Sequence, residues 1–296
     1  MMGEGEITLV LPYVAACTAT ALISSLWSAG RRNTQKVKLN YITYGDRSIP
    51  RDQRFTVLHL SDLHLELLSI TPERLRFMLK DRAFDLVAFT GDFLDRAKSI
   101  PKLNPFLQVI RELQPSAPMF AVLGNHDYVL KGDHLKSLVA TLHHHGCNVL
   151  RNENMSAAIK GKKINVIGID DDFTGRSDPD KAFSGIDHGA FNLVLTHDPN
   201  IVLKMHEHDF DYLLAGHFHG GQIHWPKPFH LNTMGELVRM NMIRGVQKID
   251  GRPFYISEGL GQTGINIRDG SRPEIALHDI PLIPLRKNTL RKNKSA

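Results

Sequence analysis

Five times along this chain a short apolar run of strand-forming residues stops at a cluster of acid, amide or imidazole side chains. Residues 55–60 end in Ser61-Asp62-Leu63-His64, and 85–90 in Gly91-Asp92. Residues 118–123 end in Gly124-Asn125-His126-Asp127, 191–195 in Thr196-His197-Asp198, and 212–215 in Gly216-His217-Phe218-His219. Helical periodicity fills 72–81, 102–113 and 131–145, and 199–208 also reads as a helix. Strands alternating with helices build parallel βαβ units, and such sheets collect ligands at the carboxyl ends of their strands. The pattern predicts one α/β domain over 51–282 with a polar site at those ends. The stretch 222–280, punctuated by Gly and Pro, reads as short antiparallel strands.

Composition narrows the chemistry of such a site. Two cysteines, Cys17 and Cys147, allow neither a disulfide framework nor a four-cysteine zinc site, whereas 16 histidines supply imidazole freely. The net charge of +5 suggests a nucleic-acid partner until it is located. The cations gather at the ends, in Arg31, Arg32, Lys36, Lys38 and in Arg286, Lys287, Arg291, Lys292 and Lys294, which leaves residues 39–285 slightly acidic. A duplex-binding domain concentrates Lys and Arg on its own surface, so nucleic acid is disfavoured as a partner.

The amino end raises a membrane question. Residues 7–30 carry no charge. As a helix they would extend about 36 Å, enough for a hydrocarbon core of roughly 30 Å. Residues 1–30 therefore read as a hydrophobic anchor or signal-like helix. The acidic start at Glu4 and Glu6 is unlike a secretory signal, and the basic residues after the run favour a cytoplasmic body behind a single-pass helix in the inner or cytoplasmic membrane. Export, or a buried hydrophobic helix in a soluble protein, are the alternatives. Residues 31–50 read as a polar bridge and 283–296 as a basic tail, which would be attracted to anionic lipid.

Each polar cluster has a plain reading when taken alone, since an isolated Asp-x-His or Gly-Asp is a common turn. Asp62 and His64, one residue apart on an extended segment, point the same way and could grip one cation. The joint pattern is the informative one. Five such clusters in order, all following strands, supply carboxylate, imidazole and amide oxygen, a set suited to Mn²⁺, Fe²⁺, Zn²⁺ or Co²⁺. Seven ligands exceed one tetrahedral ion and fit two adjacent ions sharing a carboxylate.

The ordered pattern D-x-H, GD, GNH(D/E), H, GHxH resembles that of the calcineurin-like metallophosphoesterases, over residues 55–280. The resemblance implies an α/β/β/α four-layer sandwich. It also implies two divalent ions, Mn²⁺ foremost, one held by Asp62, His64, Asp92 and His219 and the other by Asp92, Asn125, His197 and His217, with Asp92 the bridge. His126 matches the family's phosphate-binding or leaving-group histidine, and Asp127 the acid that orients it. The implied reaction is cleavage of a phosphodiester or pyrophosphate bond by metal-activated hydroxide.

Gly216-His217-Phe218-His219-Gly220-Gly221-Gln222, Arg244-Gly245, Ser257-Glu258-Gly259-Leu260-Gly261 and Arg272-Pro273-Glu274-Ile275 resemble the bacterial YkuE/YaeI-type branch. That branch includes the UDP-2,3-diacylglucosamine pyrophosphatases of lipid A synthesis. Phe218 departs from the Thr often found there. A lipid-linked phosphorylated substrate is the finer expectation, and a generic phosphodiesterase or a catalytically silent scaffold the alternatives. His224, Arg244 and Arg268 are candidate substrate-binding residues. His143-His144-His145 point to different faces of one helix and are set aside, as are His59, a strand-interior core histidine, and the acidic loop Asp170-Asp171-Asp172.

Overall fold

The computed structural model describes residues 4–224 and 227–284; of the basic tail expected over 283–296, residues 285–296 lie outside them. Helix α1 (Glu4–Asn33) comes first. The first sheet then takes β1 (Lys38–Thr43), β2 (Arg54–Leu60), β3 (Leu86–Thr90), β4 (Met119–Val122), β5 (Cys147–Val149) and β12 (Glu274–Pro281), in the order β1-β12-β2-β3-β4-β5. Helices α2 (Pro72–Leu79), α3 (Ile100–Leu113) and α4 (Asp133–His144) connect its parallel strands. The second sheet takes β6 (Glu153–Ile159), β7 (Lys162–Gly168), β8 (Phe191–Leu195), β9 (Tyr212–Ala215), β10 (Gly245–Ile249) and β11 (Arg252–Ile256), in the order β10-β11-β9-β8-β7-β6. Short helices α5 (Pro179–Ala182) and α6 (Glu236–Arg239) flank it.

The period of two along each strand sorts side chains between cores. From β2, Leu58 and Leu60 face Leu75 and Leu79 of α2, Leu103 and Leu107 of α3 and Leu138 and Leu142 of α4. Phe55 and Val57 face the other way and join Leu86, Ala88 and Phe120 against Ile164, Val166, Phe191, Leu193 and Leu214 of the second sheet. Val194, Leu213 and Ile256 then pack outward on Ala182, Ile201, Val202 and Leu237. Helices, sheet, sheet and short helices thus follow one another, with two mixed sheets in the middle. Local chemistry agrees with this: Thr71 caps α2 by accepting from Arg74 N at 3.2 Å, and Pro72 occupies its first turn.

Three expectations are corrected. The polar bridge 31–50 contains β1, paired in parallel with β12, so the domain begins ahead of residue 51. The helix expected over 199–208 is a 3₁₀ segment, Pro199–Lys204. The carboxyl-terminal stretch is only partly antiparallel: β10 and β12 pair that way with β11 and β2, but β11 runs parallel to β9.

The amino-terminal helix forms, and its residues 13–28 are all exposed, including Leu22, Ile23, Leu26 and Trp27. Its carboxyl end is seated on the body, where Gly30 O accepts from Arg268 N at 3.1 Å and Asn33 Nδ2 donates to Arg268 O at 3.0 Å. Among the described residues no helix is long and apolar enough to cross a membrane.

Candidate metal centre

The five polar clusters converge at one end of the two sheets. Asp62 and His64 follow β2, Asp92 follows β3, Asn125 and His126 follow β4, His197 follows β8, and His217 and His219 follow β9. Three of the five loops turn through left-handed backbone: Asp62, His64, Asp92, His217 and His219 all adopt positive φ, between 38° and 75°. Non-glycine residues held there store strain, which persists where surrounding contacts over-determine it. Glycine gives the loops room to close. A Cβ on Gly124 would fall on Asp92 Oδ1, and one on Gly216 would fall on Ser61 Oγ and Asp62 Oδ2.

In one half of the site His64 Nε2 stands 3.2 Å from His219 Nε2, and His219 Nε2 stands 3.4 Å from Asp62 Oδ1. In the other, His197 Nε2 stands 3.1 Å from Asn125 Oδ1 and 3.2 Å from His217 Nδ1. Asp92 Oδ2 lies between the halves, 3.1 Å from His197 Nε2 and 3.5 Å from His64 Nε2. All seven side chains named from the sequence are therefore brought together. Asp62-His64-His219 and Asp62-Asp92-His197 are sets whose ligand atoms could surround a cation.

The outer contacts prepare these atoms for cations. His197 Nδ1 donates to Thr90 O at 2.7 Å and His64 Nδ1 to Asp95 Oδ1 at 3.2 Å, which turns each Nε2 inward. His217 Nε2 is buried with no hydrogen-bond partner, and burial together with the charge of His197 pushes this ring down to about 3, so it stays neutral. Burial lowers His219 as well. Asp62 and Asp92 are buried carboxylates, and among the described residues neither pairs with Lys or Arg. Burial raises Asp62; for Asp92 burial is overcome by His197 and His64, which hold it well below the usual carboxylate range. Buried anions ringed by inward-facing ring nitrogens call for positive charge, and the residues fit divalent cations.

His126 sits at the edge, about a third exposed, with its ring edge-on to His64 at 4.7 Å between centroids. Its Nδ1 donates to Asp95 Oδ1 at 2.8 Å. Burial disfavours its charge, but Asp95 and Asp92 prevail and raise it to about 9. The orienting acid is therefore Asp95, and the expectation for Asp127 is corrected. Asp127 is fully buried, and its carboxylate accepts from Asp92 N and Gly124 N at 2.9 Å each, from Phe93 N at 2.8 Å and from Leu94 N at 3.4 Å. It ties the Gly91-Asp92 and Gly124-Asn125 loops together, and its hydrogen bonds go to those backbone amides rather than to the His126 ring. Asp95 lies three residues past Asp92, in a spacing no different from an ordinary solvated acid, so the sequence offered little signal for it. Asp95 N and Arg96 N are in turn held by Glu66 Oε2 and Oε1 at 3.1 and 3.0 Å.

The three candidate substrate residues part company. Arg268 is fully buried and donates to the carbonyls of His219, Glu258, Gly259 and Gly261, so it braces the loop under His219 from the interior. His224 Nε2 bonds Gly220 O at 2.5 Å. His224 and Arg244 line a cavity of about 390 Å³ with Pro228, Asn241, Ile243 and Gln247. Phe173, which sequence reasoning passed over, packs its half-exposed ring against His217 at 5.0 Å.

The fold and the site define a metal-assisted phosphoesterase: residues 55–221 match the family model of the calcineurin-like phosphoesterases, and the chain belongs to that family, hydrolases of phosphoester bonds. It is 52% identical over 250 residues to the uncharacterized metallophosphoesterase YkoQ of Bacillus subtilis (strain 168), covering 84% of this chain and 92% of that one. It is 27% identical over 232 residues to the phosphodiesterase YaeI of Escherichia coli (strain K12), covering 76% and 82%. To the UDP-2,3-diacylglucosamine pyrophosphatase LpxG of Chlamydia muridarum (strain MoPn / Nigg) it is 26% identical over 323 residues, covering 89% and 95%.

Proposed function

We propose that the protein is a two-metal phosphohydrolase that cleaves a phosphodiester or pyrophosphate bond. The observation that carries this reading is the placing of Asp92 Oδ2 between His64 Nε2 and His197 Nε2, with Asp62 and His219 on one side and Asn125 and His217 on the other. Asp62, His64, Asp92 and His219 would hold one ion, and Asp92, Asn125, His197 and His217 the second. Mn²⁺ is the first ion to test, ahead of Fe²⁺, Zn²⁺ and Co²⁺. When bound, a pair of such ions neutralises phosphoryl charge and lowers the pKa of a nearby water. The chain's own residues do the rest. Asp95 keeps His126 protonated through Nδ1, which leaves Nε2–H directed to a phosphoryl or leaving-group oxygen. His64 and His197 are locked in the tautomers that face inward, and Asn125 adds a neutral oxygen ligand.

A UDP-linked diacyl sugar is the substrate to try first, because relatives matched over three quarters or more of this chain carry that activity in their names. The membrane part of the reading is a single-pass anchor at the amino end with the body on the cytoplasmic side, and the exposure of Leu22, Ile23, Leu26 and Trp27 supports contact of that segment with lipid. The test is release of UMP from UDP-2,3-diacylglucosamine and of nitrophenol from bis-p-nitrophenyl phosphate, with Mn²⁺, by the protein and its Asp92→Ala variant. Both activities, lost in the variant, bear the proposal out. Hydrolysis of the artificial diester alone removes the lipid-linked substrate. With neither, the protein is a silent scaffold.

A further inference from the structure

Behind the site, three buried side chains that the proposed chemistry does not use run in file to one of its ligands. Ser61 Oγ donates to Asp62 Oδ2 at 2.5 Å, Thr90 Oγ1 donates to Ser61 Oγ at 2.7 Å, and His59 Nε2 stands 2.8 Å from Thr90 Oγ1. All four residues are at most 1% exposed. Each hydroxyl has one proton, and the short contacts assign both: that of Ser61 to Asp62, with Thr90 O a more distant acceptor at 3.4 Å, and that of Thr90 to Ser61. Thr90 Oγ1 can then only accept, so His59 carries its proton on Nε2. Its Nδ1, with no hydrogen-bond partner in the buried space beside Tyr255 and His278, is the bare nitrogen that this polarity requires.

We propose that His59, Thr90 and Ser61 are positioning residues, a one-way chain of donors that occupies Oδ2 of Asp62 so that Oδ1 is the oxygen presented to a cation beside His219. The inference rests on the reading of Asp62 as a metal ligand. Oδ1 is the oxygen 3.4 Å from His219 Nε2, and its other partner is the backbone His217 N at 3.1 Å; Oδ2 is the one taken up by the Ser61 hydroxyl. Aligned donors polarise one another, and a carboxylate in a dry site is most sensitive to such a chain because water cannot replace it. Thr90 contributes twice, in separable ways. Its hydroxyl serves Asp62, while its carbonyl accepts from His197 Nδ1 in the other half of the site. Removal of the hydroxyl should therefore weaken one metal position and spare the other.

The experiment is calorimetric titration of the metal-free full chain with Mn²⁺, for the parent and for Ser61→Ala, Thr90→Val and Thr90→Ser, with His64→Ala marking which binding step belongs to the Asp62 half. Ser61→Ala is expected to weaken that step by about 10- to 100-fold, as loss of an outer partner of a ligand does, and to leave the other step unchanged. Thr90→Val should weaken the same step by less, and Thr90→Ser, which restores the hydroxyl, should match the parent. Thermal melting of each metal-free variant separates this from general loosening. Parent-like binding by Ser61→Ala overturns the inference, as does weakening of both steps in proportion to a lowered melting temperature. A parent that binds no Mn²⁺ overturns the two-metal reading itself, and the donor chain with it.

Discussion

Asp95 Oδ1 lies 2.8 Å from His126 Nδ1 and 3.2 Å from His64 Nδ1, so one carboxylate orients both the proposed proton donor and a proposed metal ligand. The consequence for pH dependence has a definite sign. His126 is raised to about 9, so a rate that needs its proton is sustained through neutral pH and falls as pH rises through that value. Asp95→Asn removes the charge that raises it. The alkaline fall in kcat should move to lower pH in that variant, and an unmoved profile would show that Asp95 does not govern His126.

His126→Ala should cost roughly 100-fold or more in kcat, the scale of a positioned general acid, while leaving metal content intact. Its Nδ1 and ring touch Asp95 and His64 but none of the inward-facing ligand atoms belongs to it. Turnover and metal stoichiometry measured on one preparation decide the matter; an equal rate at saturating metal would end the assignment.

Asp127→Ala should behave differently. Four buried backbone N–H groups lose their acceptor, and unsatisfied buried donors cost about 1–3 kcal/mol each before relaxation. We expect a loss of about 3 kcal/mol or more in urea unfolding of the metal-free protein. Stability close to that of His126→Ala would remove Asp127 from this tying role.

The buried ring of His59 is lowered by desolvation to about 3, against an ordinary value of 6.5. An unfolded chain therefore takes up a proton on this residue below pH 6.5 that the folded chain refuses until about pH 3. Stability from this group is full above 6.5 and falls as the pH is lowered, by about 1.4 kcal/mol per pH unit. Relative to His59→Gln, which keeps a donor but cannot titrate, the parent should lose stability from pH 6.5 to pH 5. A difference between the two that is constant with pH would contradict neutral burial of His59.

Gly216→Ala should abolish Mn²⁺ binding at the Asp62 half, since the added methyl falls on Ser61 Oγ and Asp62 Oδ2. Gly189→Ala, at an exposed loop position where the added Cβ meets only Asp187 Oδ1 at 3.4 Å, serves as the control for a glycine lost elsewhere. Metal titration of the pair distinguishes local crowding from general intolerance.

The strand-end clusters were legible because residue types and order are one-dimensional facts. A buried strand must be apolar, and a ligand set must consist of acids, amides and imidazoles, so Asp62, His64, Asp92, Asn125, His197, His217 and His219 stood out together. Asp95 and Asp127 exchanged parts for a reason the order conceals. Asp127 is adjacent to His126 in sequence, but the 3₁₀ turn that begins there points its carboxylate back to the amides of the Asp92 loop. Arg268 misled in the same way: a guanidinium near the site reads as an anion binder until its Nη1 and Nη2 are found donating to carbonyls in the interior.

The amino-acid sequence alone determined the family, the alternation of strands and helices and the candidate ligand side chains, because these depend on hydrophobic periodicity and on which side chains can donate an electron pair. Tertiary structure decided which carboxylate faces which imidazole, which arginine is buried, and that Ser61, Thr90 and His59 line up behind Asp62. Those relationships join residues about 30 to 150 positions apart, and they are set by loop reversals at positive φ and by the face-to-face packing of two sheets, neither of which leaves a local mark on the chain.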